Sequence, residues 1–315
     1  MGKRKLNIQQ KRRITKAQQN HLSVNAQTGL VLCSFGKQAE VEASAGKVIT
    51  CMIRPNLPTL VAGDKVVWQS VGEESKGVIE SIAPRNTVLT RQLKKTGLNK
   101  PLAANLSQLV VVIAEEPKVD WTLLDTYLVT AEFLHLNIII VLNKLDLGPI
   151  DIKACLETNY KPLGYQIFYT TNQDNSSFMP LTKQLADNIS VVVGQSGVGK
   201  SSLISKLIRE MPIKTLALSK NKQGQHTTTK ARFYHLEKGG GIIDSPGVRG
   251  FYPANLTPEI ILRGYRELHP FIGKCKFRNC QHNNTQGCAI ENALETGHIA
   301  LFRYLNLIRL LKNNV

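Results

Sequence analysis

The segment Gly194-Gln-Ser-Gly-Val-Gly-Lys200-Ser201 has the spacing of a phosphate-binding loop, G-x-x-x-x-G-K-[ST]. Glycines let a backbone wrap a polyphosphate with its N–H groups turned inward, and a helix N-terminus just after them favours anions. Lys200 would bring a mobile positive charge to the β- and γ-phosphates, and the Ser201 hydroxyl suits Mg²⁺. Gly194, Gln195, Ser196, Gly197, Val198, Gly199, Lys200, Ser201 and the adjoining Ser202 are therefore the expected nucleotide contacts. Chance would produce this pattern in roughly one such chain in a hundred. A second constellation is Cys275-x4-Cys280-x-His282-x5-Cys288, three thiols and one imidazole within 14 residues. It suits one Zn²⁺ per chain in a closed, four-coordinate, structural site. The spacing differs from paired C-x2-C knuckles. Disulfides are the alternative, disfavoured by an odd number of thiols and by a reducing compartment. Cys33, Cys51 and Cys155 are scattered and read as core residues, while His269 and His298 read as surface or supporting residues.

Asn143-Lys144-Leu145-Asp146 resembles the N-K-x-D base-recognition element of translation-factor-type GTPases. A carboxylate at Asp146 can accept from both N1–H and the exocyclic amine of guanine. Adenine lacks that pair of donors and would leave the carboxylate unsatisfied. Asn143 would support the base pocket and Lys144 would pack along it. Thr170-Thr171-Asn172 sits where a last base-contacting loop belongs, although it departs from the Ser-Ala wording common there. Asp244-Ser-Pro-Gly247 fits D-x-x-G, with Asp244 toward Mg²⁺ and the Gly247 N–H toward a γ-phosphate. Gly224-Gln-His-Thr227-Thr228-Thr229 can supply a switch threonine, Thr228 or Thr229, or else begin a strand. In ordinary small GTPases the phosphate loop comes first and N-K-x-D late; here that order is circularly permuted. Strand neighbours survive such a rearrangement while the termini move. The chain therefore leaves the nucleotide domain soon after D-x-x-G and enters the cysteine-bearing segment directly.

These residues need elements to hold them. Continuous apolar runs at 109–114 and 138–142 predict parallel strands buried on both faces, with further strands at 165–170 and 189–193. Helical spacing is expected over 121–136, opened by Asp120 as N-cap, and over 152–159, 180–186 and 200–210. This alternation is that of βαβ units around a parallel sheet. Upstream, β-branched stretches at 28–35, 38–42, 47–53, 65–69, 77–82 and 87–91 are punctuated by turn formers, which predicts a small antiparallel barrel of the OB type. Trp68 and Phe35 could stack on nucleic-acid bases or, as small barrels require, fill the interior. Lys94, Lys95 and Lys100 read as a polar, basic link. The segment 299–311 is apolar nearly all round and should pack on another domain, with Arg303, Arg309 and Lys312 making its end basic.

Length and charge set the frame. The 315 residues allow two or three domains, and 42 % hydrophobic residues exclude a disordered chain. No apolar run approaches a membrane span, and the basic N-terminus lacks the apolar stretch of a signal peptide, so a soluble cytoplasmic protein is expected. The net charge of +17 points to a polyanionic partner, nucleic acid before membrane. Seven of those charges lie in residues 1–20, which contain no acid and read as a mobile arm that contacts nucleic acid.

A basic arm, an OB-like barrel, permuted nucleotide motifs and a Cys/Cys/His/Cys module together resemble the RsgA (YjeQ) family of small-ribosomal-subunit assembly GTPases, over essentially the whole chain. The resemblance implies a multidomain protein: an N-terminal OB-fold β-barrel, a central α/β circularly permuted P-loop GTPase domain and a C-terminal, mainly helical zinc-binding module. The expected boundaries are 1–22 for the arm, 23–95 for the barrel, 96–255 for the GTPase domain and 256–315 for the zinc module. It further implies GTP hydrolysis with Mg²⁺, stimulated by the 30S subunit late in its maturation, 16S rRNA contacts through the barrel and zinc module, and a monomer. Where Ras-like enzymes carry a water-orienting Gln after D-x-x-G, this chain has Val248, whose side chain cannot hydrogen-bond. His226, beside the switch threonines, is the candidate replacement, against a purely structural loop histidine. Two other classes stay open: an RNA-binding scaffold holding nucleotide as a structural ligand, and an ATP-using P-loop kinase or ATPase. Within the first class, a different ribosome-associated permuted GTPase is the alternative.

Overall fold

The computed structural model describes residues 26–44, 46–72, 76–92, 96–210, 231–237, 239–244 and 256–313. The basic arm, Lys94, Lys95, His226, Thr227, Thr228, Thr229, Gly247 and Val248 lie outside these residues.

Five strands close the N-terminal barrel: β1 (Gln27–Phe35), β2 (Gln38–Ala43), β3 (Val48–Ile53), β4 (Lys65–Ser70) and β5 (Lys76–Ile82). Their order is β1–β2–β3–β5–β4, and β4 returns to β1 through pairs running from Gln27↔Trp68 to Leu30↔Lys65. Alternate residues point inward, so Val31, Val41, Ile49, Cys51, Val66, Trp68 and Ile79 form its core. Trp68 is 3 % exposed and fills the barrel, which takes it out of any base-stacking role. Cys33 and Cys51 are buried and Cys155 is partly buried, all three as free thiols. The stretch expected as a sixth barrel strand is instead β6 (Val88–Gln92), paired with β7 (Asn99–Ala104) in a separate hairpin. The β4–β1 pairing closes the five strands without it. Lys100, read as part of a link, accordingly lies in a strand. The hairpin is tied back to the barrel by Asp64, fully buried, which takes both Nε and Nη2 of Arg85 at 2.6 and 2.7 Å.

The central unit comprises β8 (Gln108–Ile113), α1 (Trp121–Phe133), β9 (Asn137–Leu142), α2 (Ile150–Asn159), β10 (Gln166–Tyr169), α3 (Met179–Leu185), β11 (Ile189–Val193), α4 (Lys200–Glu210), β12 (Arg232–His235) and β13 (Gly241–Asp244). The strands run β10–β9–β8–β11–β13–β12, parallel except for the last pair. Every residue of β8 is buried because both faces are covered. Leu109, Val111 and Ile113 meet the α1 side, while Val110 and Val112 meet the side of α3 and α4. Asp120 caps α1 as expected, accepting from Leu123 N at 2.9 Å. Strand β12 also pairs with β1, so the barrel continues the same sheet. An ion pair, Arg232–Glu40 at 2.8 Å, and a hydrogen bond between the His235 ring and Glu42 at 2.6 Å flank this seam.

The C-terminal module consists of α5 (Pro258–Gly264), α6 (Ala289–Glu295) and α7 (Leu301–Asn313). It has its own core around Ile261, Tyr265, Ile290, Tyr304 and Leu307, and this core also includes Val129 of α1. The expected packing of α7 on another domain is therefore met. One assignment is corrected: Arg303 does not make the helix end basic, because it is 2 % exposed and bound to Asp125 and Glu267. A guanidinium excluded from water needs carboxylates around it, and α1 supplies one. Among the described residues no helix is long and apolar enough to cross a membrane.

Candidate functional site

The C-terminal ends of β10, β9, β8, β11 and β13 line up along one edge of the sheet, the usual place for a ligand in such folds. The Gly-rich loop joins β11 to α4 there. Gly194 has φ +138°, and a Cβ on it would lie 2.1 Å from the Val112 carbonyl oxygen, so only glycine lets the loop leave the strand. Lys200 is buried and its Nζ donates to Gly194 O at 2.8 Å and to Gln195 O, which holds the ammonium inside the loop's curve. Val198 is fully buried, with its side chain in the core beside Leu203 and Ile204. The Gln195 side chain turns to the start of α1, where Oε1 accepts from Asp120 N at 3.0 Å and Nε2 donates to Lys118 O at 3.1 Å.

Asn143 fastens the Asn143–Asp146 segment to this loop. It is 2 % exposed; its Nδ2 donates to Val198 O at 3.0 Å, and its Oδ1 accepts from Thr170 Oγ1 at 2.9 Å. A Cβ on Gly199 would sit 2.3 Å from that Nδ2, so the contact requires glycine opposite it. Lys144 donates from Nζ to Glu116 O at 2.9 Å, stretching its stem across the mouth of the loop. Asp146 is exposed, and Thr171 Oγ1 donates to its Oδ1 at 2.6 Å. The Thr170-Thr171 pair is thus brought onto the Asn143–Asp146 segment, with Leu145 N donating to Thr170 O at 3.2 Å. Sequence placed this loop but gave no partner for either hydroxyl.

Asp244 ends β13, which lies parallel beside β11, the strand that leads into the Gly-rich loop. Ser201 is exposed in the first turn of α4. Two oxygen donors on neighbouring elements at a phosphate loop fit Mg²⁺, a hard cation that keeps most of its waters.

The metal-type cluster is assembled as expected. One ligand atom from each of Cys275, Cys280, His282 and Cys288 lies within 4.8 Å of the others. His282 Nδ1 is 3.6 Å from Cys275 Sγ and 3.4 Å from Cys288 Sγ, and those two sulfurs are 4.0 Å apart. With Zn–S of about 2.3 Å and Zn–N of about 2.0 Å, these are the edges of a tetrahedron around zinc. Burial lowers the His282 pKa, which keeps the imidazole neutral and its lone pair available. Burial also pushes the Cys288 thiol up to about 12, so without a cation it stays protonated. Backbone N–H groups of His282 and Ala289 point at Cys280 Sγ and Cys275 Sγ, each at 3.4 Å, an arrangement suited to thiolates. His269 and His298 stay outside the cluster, bonded to Arg263 O and to Thr296 Oγ1.

Residues 82–252 match the family model of the RsgA GTPase. The chain belongs to the RsgA GTPase family. It is 41 % identical over 333 residues to the small ribosomal subunit biogenesis GTPase RsgA 1 of Vibrio vulnificus, covering 99 % of this chain and 94 % of the relative. Against the RsgA of Pectobacterium carotovorum the identity is 41 % over 336 residues, covering 99 % and 96 %. Among solved structures, YjeQ from Thermotoga maritima superposes with a TM-score of 0.70 at 27 % identity over 91 % of this chain and 98 % of that one. YloQ, described as a circularly permuted GTPase, gives 0.69 at 26 %, over 93 % and 96 %. In this RsgA-family chain β9, which leads into the Asn143–Asp146 segment, precedes β11, which leads into the Gly-rich loop. Both strands flank β8 in the one sheet, so the permuted motif order is carried by neighbouring strands.

The Thr171–Asp146 bond gives a first prediction. If Asp146 reads the base as expected, Thr171→Ala should weaken GDP binding about three- to tenfold, because the Asp146 carboxylate loses the group that holds it. Thr171→Ser should restore it. Equal affinities of wild type and Thr171→Ala in a fluorescent-nucleotide titration would remove this role.

Proposed function

We propose that this protein hydrolyses GTP in the assembly of the small ribosomal subunit, binding the 30S particle and its 16S rRNA late in maturation and leaving when GTP is spent. The observation that carries the reading is Asn143, which bonds at once to the phosphate loop and to Thr170 and so joins the two halves of a guanine-nucleotide site. The relatives named for small-subunit biogenesis support the choice of particle. In this reading the loop from Gly194 to Ser202 cradles the phosphates and Lys200 turns from its carbonyl partners to the β- and γ-phosphates. Asp146 reads the base, with Asn143 and Lys144 shaping its pocket. Mg²⁺, held by Ser201 and Asp244, would neutralise charge on the phosphate oxygens. Gly247 and Thr228 or Thr229 would sense the γ-phosphate, and His226 would orient the attacking water. The zinc ligands Cys275, Cys280, His282 and Cys288 would hold the C-terminal loops in shape. The excess of basic residues, the rRNA contacts, a monomeric state and a cytoplasmic location belong to the same reading.

Phosphate release measured with 30S subunits, 50S subunits and bare RNA tests it: 30S alone should accelerate turnover. A stimulation equal with all three would favour a general RNA sensor, and no stimulation would favour the scaffold reading. Asp146→Asn should lower GTP affinity by about 10²-fold or more while admitting xanthine nucleotide, since an amide donor then faces the donors of guanine. Retained preference for GTP would sink the base assignment. His226→Ala, run in the same assay, should lose the stimulated rate, and an unchanged rate returns that histidine to a structural role.

A further inference from the structure

Helix α1 is gripped along one stripe by the C-terminal module and at its first turn by the phosphate loop. The Trp121 ring meets Phe302 of α7 edge-on at 5.3 Å. One turn on, the fully buried Asp125 accepts from Tyr265 OH at 3.0 Å, from Tyr160 OH at 3.1 Å and from the Arg303 guanidinium. Burial pushes both tyrosine hydroxyls well above their usual range, so they remain donors. Arg303 is completed by Glu267 at 2.7 Å. A further turn on, Val129 lies so close to Gly264 that a Cβ there would approach to 2.7 Å, and Glu132 then pairs with Arg266 at 2.5 Å. Positions 121, 125, 129 and 132 share one helix face. Buried ion pairs such as Asp125–Arg303 add little net stability, yet they are strongly unfavourable to misalign, so they fix where the module sits on α1.

At the other end, Gln195 bridges the loop to the helix start through Asp120 N and Lys118 O. Its own carbonyl is a partner of Lys200 Nζ. We propose that Gln195 is a positioning residue that fixes the phosphate loop to the start of α1, and that through α1 the docking of the C-terminal module sets nucleotide affinity. The proposal rests on the reading of this loop as the GTP site. A rigid shift of α1 moves the Asp120 N–H, and with it one side of the loop that curves around Lys200. One hydrogen bond of this kind corresponds to about three- to tenfold in affinity.

The test uses the full chain and GDP. The protein has two tryptophans, so Trp68→Phe leaves Trp121 as the sole emitter at the helix start. GDP should then change Trp121 emission. Gln195→Met, of similar length but without hydrogen bonds, should weaken GDP about three- to tenfold and abolish that emission change. Phe302→Ala should weaken GDP as well, and the double variant should lose less than the product of the single losses, because both act through one helix. If Phe302→Ala fails to fold, Glu132→Gln, which loosens only the partly exposed pair with Arg266, takes its place in the cycle. Wild-type affinity in Gln195→Met, or losses that simply multiply, would overturn the proposal. A wild-type chain that binds no guanine nucleotide would instead overturn the GTP reading beneath it.

Discussion

Lys200→Ala is expected to lower 30S-stimulated GTP turnover by about 10²–10³-fold, the size of effect seen when a preorganised group is removed from a developing negative charge. Lys200 is 6 % exposed, and its ammonium is already poised on Gly194 O and Gln195 O. Phosphate oxygens arriving in the loop can replace those carbonyls without the lysine crossing from solvent, so little reorganisation opposes the reaction. Ser201→Ala should cost comparably through loss of the Mg²⁺ position at the head of α4. Single-turnover kinetics at saturating GTP separate the two effects from weaker binding. Undiminished turnover in both variants would remove the assignment of this loop to catalysis.

Stripping metal from the Cys275/Cys280/His282/Cys288 cluster, proposed as a zinc site, is the second large effect expected. Cys288 is 4 % exposed and sits in the C-terminal core, immediately before α6, while Tyr304 OH of α7 donates to His282 O at 2.8 Å. Glu291 of α6 accepts from Asn284 N and Thr285 N, at 2.5 and 2.9 Å, in the loop between the last two ligands. The four ligands thus join two helices that otherwise meet over a small core, and structural zinc supplies on the order of 10 kcal/mol at neutral pH. Chelation, or Cys280→Ser, should strip one equivalent of metal and melt the module well before the GTPase sheet. Calorimetry would then show a separate low-temperature transition. A chain that holds no zinc when purified, or whose melting ignores a chelator, would exclude the structural-zinc reading. The melted module should also release its grip on Asp125 and Val129, so GDP affinity is expected to fall with it, in line with the role given to α1.

Much of this protein was legible in its residues because the chemistry is local. The phosphate loop is one run of eight residues whose backbone needs glycine, and Gly194 and Gly199 show why. The buried strands announced themselves as unbroken apolar runs because both faces of β8 and β9 are covered. The Cys/Cys/His/Cys spacing closes on itself within one short segment, so it needed no distant partner to be recognised. What the sequence could not settle depends on partners far along the chain. The stretch 88–92 has ordinary strand composition, and only the β4–β1 closure, between residues about forty apart, denied it a place in the barrel. Arg303 reads as surface charge until Asp125, 178 positions away, is brought against it. Thr170 and Thr171 are placed by sequence as a base-contacting loop, but their hydroxyls gain partners only when the sheet sets β10 beside β9 and brings them to Asn143 and Asp146. Residue types and spacings by themselves determined which groups are suited in chemistry to phosphate, base and metal, since that chemistry belongs to short segments. Which of the remaining charges face water and which lock one module onto another was decided by the tertiary structure alone, because solvation and pairing depend on what packing brings together.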